Sequence, residues 1–211
     1  MKKTLLFAIG IAIASLSQAQ TSKPEATKPP ITFGVKGGFN LTGVKGKDVE
    51  GTSALPGFHL GVLAQVPLKN EFSLQPELFY SAEGSKMKTV MQGDGDEILE
   101  VDAKAHLNYL NLPVLLNYQH ASGFFAQSGP QLGYLLSGKL KANGTSTDVK
   151  DEFKKTSLSW VVGVGYYLAD QKIGFNLRYN FGFTKLGKAA DGEPSAKAYG
   201  RAIQAGVFYM F

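Results

Sequence analysis

From Ile31 to the C-terminus, apolar residues recur at every second position. A period of two predicts strands, not helices. In the first run Ile31, Phe33, Val35, Phe39 and Leu41 share one face, with Thr32, Lys36, Asn40 and Thr42 on the other. Seven further runs alternate in the same way, over residues 58–66, 72–81, 110–118, 124–136, 158–168, 173–181 and 203–211. Each is about ten residues long, which is what a tilted strand needs to cross a bilayer. The stretches between them alternate too. Long polar ones (43–57, 84–105, 138–156 and 185–199) follow odd-numbered runs, and tight links near Pro67–Asn70, Gln119–Gly123 and Ala169–Lys172 follow even-numbered ones. Long loops on one rim and short turns on the other are the arrangement of outer-membrane barrels. The expected fold is therefore all-β: an eight-stranded antiparallel up-and-down transmembrane β-barrel over residues 31–211, with both ends on the short-turn rim.

Energy decides which face meets lipid. Arg178 alternates with Leu177 and Tyr179, and an arginine on the lipid side at mid-membrane costs about 2–4 kcal/mol. The apolar set is thus expected outside and the polar set in the lumen. An eight-stranded interior is only wide enough for side chains to fill. Lys36, Gln75, Glu77, Gln127, Gln131 and Arg178 are expected to form a hydrogen-bonded or ionic network there, since an unpaired charge would be costly. Aromatic residues should form belts where the strands leave the hydrocarbon. Phe33, Phe72, Tyr118, Tyr209 and Phe211 fall at the short-turn end, and Trp160 falls towards the long-loop end.

The first 19 residues carry an export signature. Lys2 and Lys3 precede an apolar stretch from Leu5 to Leu16, and Ser17-Gln18-Ala19 places small residues where a signal peptide is cut, after Ala19. The apolar stretch is shorter than the roughly 20 residues of a spanning helix. Residues 20–30 (QTSKPEATKPP) are polar and rich in proline, as expected of a periplasmic linker. Losing Lys2 and Lys3 lowers the formal charge from +5 to +3, and lysines are interspersed with acids, so nucleic acid is not an expected partner. The absence of cysteine excludes a disulfide framework, a thiol nucleophile and a Cys-ligated metal.

Four internal segments carry a family resemblance: SLQPELFYSAEG (73–84), YLNLPVLLNY (109–118), FFAQSGPQLGYLLSG (124–138) and LRYNFGFTKL (177–186). With the C-terminal AIQAGVFYMF (202–211), residues 31–211 resemble the porin-family, PorT-type outer-membrane beta-barrel domain of Gram-negative bacteria. The resemblance implies an eight-stranded barrel of the OmpA/OmpX shape in the outer membrane. It also implies recognition of the C-terminal strand by the outer-membrane assembly machinery, with outer-membrane lipid and lipopolysaccharide as neighbours. PorT-type relatives are associated with secretion and gliding machinery, but no residue here singles out that role.

Other candidate chemistry is sparse. His59, His106 and His120 are dispersed, and no enzyme or cofactor is expected. The acidic segment Gly93–Asp102 could bind Ca²⁺ weakly, although the EF-hand order is absent, so no metal is assigned. The expected role is structural or surface-interacting, with long loops extracellular and the lumen plugged by polar side chains, and envelope proteins are candidate partners. Alternatives are a small pore or secretion accessory, and a soluble lipocalin-like carrier, whose barrel would be apolar inside and polar outside.

Overall fold

The computed structural model describes residues 30–46, 52–92, 98–142, 144–168, 172–187 and 198–211. The expected signal peptide, the linker up to residue 29 and the side chains of the acidic segment 93–102 lie outside the described residues. Nine strands are present among them: β1 (Thr32–Gly46), β2 (Thr52–Pro67), β3 (Phe72–Gln92), β4 (Ile98–Gln119), β5 (Phe124–Ala142), β6 (Thr145–Asp148), β7 (Thr156–Tyr167), β8 (Ile173–Lys185) and β9 (Ala198–Met210). Eight of them close a ring. Each pairs antiparallel with its neighbour in the order β1, β2, β3, β4, β5, β7, β8, β9, and β9 pairs back onto β1. The short β6 pairs only with the upper end of β5. A closed ring leaves no unpaired edge, the condition for strands in hydrocarbon.

Two tight turns are set by local backbone chemistry. Between β2 and β3 the Leu68 amide donates to the Phe72 carbonyl at 2.9 Å, with Asn70 at φ 56°. Asn tolerates this left-handed geometry better than most residues. Between β4 and β5 the His120 amide donates to the Phe124 carbonyl at 2.8 Å. The Phe211 amide donates to the Phe33 carbonyl at 2.9 Å, so the start of β1 and the end of β9 meet on this same rim.

The strands are longer than the expected ten residues. β3 and β4 have 21 and 22 residues, and their ladder continues from Gly84 opposite His106 to Gln92 opposite Ile98. The segment 84–105, expected as a loop, is therefore mostly a β-ribbon standing above the barrel. Residues 139–142 likewise extend β5 and pair with β6. The β4 limb of the ribbon keeps the alternation, with Val101, Ala103 and Ala105 between Glu100, Asp102 and Lys104, whereas the β3 limb (SKMKTVMQ, 85–92) has none to mark its pairing.

Within the barrel the alternation has the expected sense. Phe33 is 61% exposed and Leu177 53%, while Lys36 is 2% exposed and Arg178 3%. Large apolar residues cover the outside of every ring strand, far beyond the few hundred Å² of contiguous apolar surface usual for a soluble protein. This surface is opposite in sense to that of a lipocalin-like carrier. On the outer face the Trp160 indole donates to Ser128 Oγ at 2.9 Å, which satisfies a polar group in an apolar setting.

Three ladders shift register, β2–β3, β4–β5 and β8–β9. The β2–β3 register slips between the Ala54–Ser85 pair and the His59–Ser81 pair. Side chains from β1 reach across β2 to serve the freed backbone groups. The Gly84 amide donates to Thr42 Oγ1 at 2.9 Å, and that hydroxyl lies 2.9 Å from the Gly84 carbonyl and 3.2 Å from the Leu55 carbonyl. Asn40 Nδ2 donates to the Phe58 carbonyl at 3.1 Å and to the Ala82 carbonyl at 3.3 Å.

Candidate functional site in the barrel lumen

Side chains occupy the lumen at three levels. Nearest the short-turn rim, Leu63, Phe125, Tyr167, Phe208 and Met210 form a buried apolar cluster. Its three rings pack edge to face or tilted, with centroids 5.1 Å apart for Tyr167–Phe208 and for Phe125–Tyr167, and 5.9 Å for Phe125–Phe208. Near the long-loop rim Leu107, Tyr109 and Leu135 form a second cluster, against which Phe153 packs.

Between them lies a charged cluster assembled from five strands. β3 supplies Glu77, β8 Arg178 and β1 Lys36, each aimed inward by the pleat. Arg178 Nη1 donates to Glu77 Oε2 at 2.8 Å and Nη2 to Oε1 at 2.7 Å, a bidentate pair. Lys36 Nζ reaches Glu77 Oε2 at 2.8 Å and sits 4.2 Å from the Phe79 ring centroid. Gln127 on β5 accepts from Arg178 Nη2 at 3.0 Å, and Gln75 donates to Glu77 Oε1 at 2.5 Å. Asn117 on β4 in turn donates to the Gln75 side-chain oxygen. Beside it, Asn40 Nδ2 donates to Ser81 Oγ at 2.8 Å, and Asn40 Oδ1 lies 2.7 Å from His59 Nδ1.

Five of the six lumen residues singled out from the sequence thus share one cluster: Lys36, Gln75, Glu77, Gln127 and Arg178. Gln131 is buried but stands closer to the long-loop rim, where with Glu83, Asn111 and Asn180 it lines a separate chamber. Sequence reasoning passed over the apolar members of the inner face, including Phe79, Phe125, Tyr167 and Phe208. Their signal was available: Phe125 shares its parity with Gln127, and Phe208 shares its parity with Gln204. Of the other histidines, His120 lies in the turn with Nδ1 2.9 Å from Ser122 Oγ. His106 sits on the β4 extension, where partial burial, then Lys141 and Lys104, lower its pKa.

The aromatic positions lie as an outward ring. Phe72 packs on Tyr118 across the β3–β4 ladder with centroids 5.2 Å apart, and Tyr209 packs on Phe211 at 5.6 Å. Phe33, beside the C-terminal residue, and Trp160, towards the other rim, also point outward.

Comparison with known proteins agrees with this architecture. No curated protein matches the chain in sequence. Among solved structures it resembles Neisserial surface protein A, with a TM-score of 0.53 and 14% identity over 87% of this chain and 100% of that one. Ail, the attachment invasion locus protein of Yersinia pestis, gives a TM-score of 0.48 and 14% identity over 87% and 100%. OprG from Pseudomonas aeruginosa gives 0.39 and 16% over 85% and 95%. At such identities the first likeness concerns the fold alone. In sequence, residues 18–187 match the outer membrane protein beta-barrel domain. With a closed eight-stranded ring, an apolar exterior and a charged interior, the chain belongs to that outer-membrane barrel family, sits in the bacterial outer membrane and contacts its lipid.

Proposed function

We propose that the protein is a closed, non-enzymatic barrel whose duty lies in envelope structure or surface interaction and not in solute passage. The observation that carries this reading is the stacking of three side-chain layers along the lumen: the Phe125–Tyr167–Phe208 group, the Lys36–Glu77–Arg178 cluster and the Leu107–Tyr109–Leu135 group. Opening a path would require parting the central ion pairs, and breaking a buried pair costs about 3–5 kcal/mol. In this reading the short turns and both barrel ends face the periplasm. The β3–β4 ribbon and the other long connections face outward, where they meet lipopolysaccharide and envelope proteins. The strand ending in Phe211 is the segment the assembly machinery captures, by edge pairing of the kind it later makes with β1.

Planar-bilayer recording of the pure protein tests this. The expected record shows no large, steady open-channel current at either polarity. Sustained conductance would favour the alternative, a small pore or an accessory of a PorT-type secretion complex.

A further inference from the structure

We infer that the chamber between the ion cluster and the long-loop rim binds a small monovalent cation or a primary ammonium group. The carboxylate of Glu83 and the side-chain oxygen of Asn180 would hold it. This chamber has a cavity volume of about 50 Å³, room for one small ion or ammonium group.

Two independent features point to a ligand. The first is Glu83 itself. Its carboxylate accepts from Asn111 Nδ2 at 3.0 Å and from the Ser81 hydroxyl, and no ion pair joins this acid to a lysine or arginine among the described residues. Both central cations, Lys36 and Arg178, are engaged by Glu77. Arg201 borders the chamber but is an exposed residue at the rim. The second is Asn180, which is 5% exposed, lines the same chamber and has an Oδ1 with no hydrogen-bond partner among the described residues. A buried acceptor of that kind is costly unless something fills its lone pairs.

The wall supplies more oxygen. A Cβ on Gly133 would lie 2.5 Å from Ser157 Oγ and 2.8 Å from Asn111 Oδ1, so two further oxygens converge where glycine leaves room. One carboxylate among neutral oxygens suits a single positive charge. Ca²⁺ draws on several carboxylates, and an anion would be repelled by Glu83. Sodium, potassium and a protonated primary amine share this chemistry.

The test uses the folded full-length barrel in detergent. Its unfolding temperature is measured in sodium, potassium, methylammonium and choline chlorides at equal ionic strength, alongside calorimetric titration of each salt. Choline is too bulky and has no N–H, so it reports salt screening alone. The expected result is a saturable rise in unfolding temperature over choline, with a matching heat of binding. Both should be lost in Glu83→Gln and reduced in Asn180→Ala. A rise with sodium or potassium only assigns an inorganic ion, and a rise with methylammonium assigns an ammonium group. Equal unfolding temperatures in all four salts with no heat of binding would overturn the proposal, as would a rise undiminished in Glu83→Gln. If Glu83→Gln fails to fold, Asn180→Leu decides: an unchanged rise in that variant would also overturn it.

Discussion

Arg178 and Glu77 stand 101 residues apart in sequence and meet through two parallel hydrogen bonds in the middle of the barrel, at 2.8 and 2.7 Å. Their strands are not neighbours in the ring, so the pair spans the lumen and does not run along a ladder. It ties the β7–β8–β9 side of the wall to the β2–β3–β4 side.

Removing the acid alone should be the harsher change. Glu77→Gln leaves Lys36 and Arg178 together without a counter-charge, and the expected loss is about 3–5 kcal/mol. Urea unfolding from lipid vesicles measures it. Converting Lys36, Glu77 and Arg178 together to Met, Leu and Met should cost less than Glu77→Gln, because no uncompensated charge remains.

The short-turn cluster depends on a close approach. A Cβ on Gly174 would fall 2.2 Å from Phe208 Cζ, well inside contact distance. Gly174→Ala must therefore displace that ring, at a cost of about 1–3 kcal/mol. At Gly187 a Cβ would meet nothing within 4 Å among the described residues, and Gly187→Ala should stay within about 0.5 kcal/mol of the parent. Parallel unfolding titrations of the two variants check the contrast.

Thr42 patches the break in the β2–β3 ladder through its hydroxyl. Thr42→Val keeps the shape and leaves the Gly84 amide without its acceptor, for an expected loss of about 1–3 kcal/mol. Hydrogen exchange should show faster exchange at the Gly84 amide, with little change at amides in β8.

On the outer face the cost of charge should depend on depth. Leu177 sits between Val164 and Ala205, near the middle of the apolar band, and Leu177→Arg should cost about 2–4 kcal/mol in a bilayer. Phe183 lies towards the long-loop end of β8, where Phe183→Arg should cost about 0–1 kcal/mol. Folding equilibria of both variants in the same lipid give the comparison.

The transmembrane half of this molecule was legible because lipid imposes a strict rule on sequence. Leu177, Arg178 and Tyr179 can be assigned to faces from the price of charge in hydrocarbon alone, and the ring strands follow from that alternation. The ribbon above the barrel was not legible. From Gly84 to Gln92 the residues (GSKMKTVMQ) follow no period of two, so nothing in the sequence distinguishes paired backbone from loop on that limb. The apolar lumen layers were hidden for a different reason. Phe125 and Phe208 look like membrane-facing residues by type, and only parity with Gln127 and Gln204 places them inside. Glu83 was missed because its distance along β3 from Glu77 gives no hint that Asn111, from β4, and Asn180, from β8, converge on the same chamber.

The inside-out arrangement is tested most directly on β8. Spin labels placed singly at positions 174 to 182, in the barrel folded into lipid bilayers, report collisions with oxygen, which concentrates in hydrocarbon, and with a water-soluble relaxant. The expected oxygen profile has maxima at Phe175, Leu177, Tyr179 and Phe181 and minima at Asn176, Arg178 and Asn180. A profile without this alternation, or with Phe175, Leu177 and Tyr179 shielded from oxygen and open to the aqueous relaxant, would contradict the barrel as described.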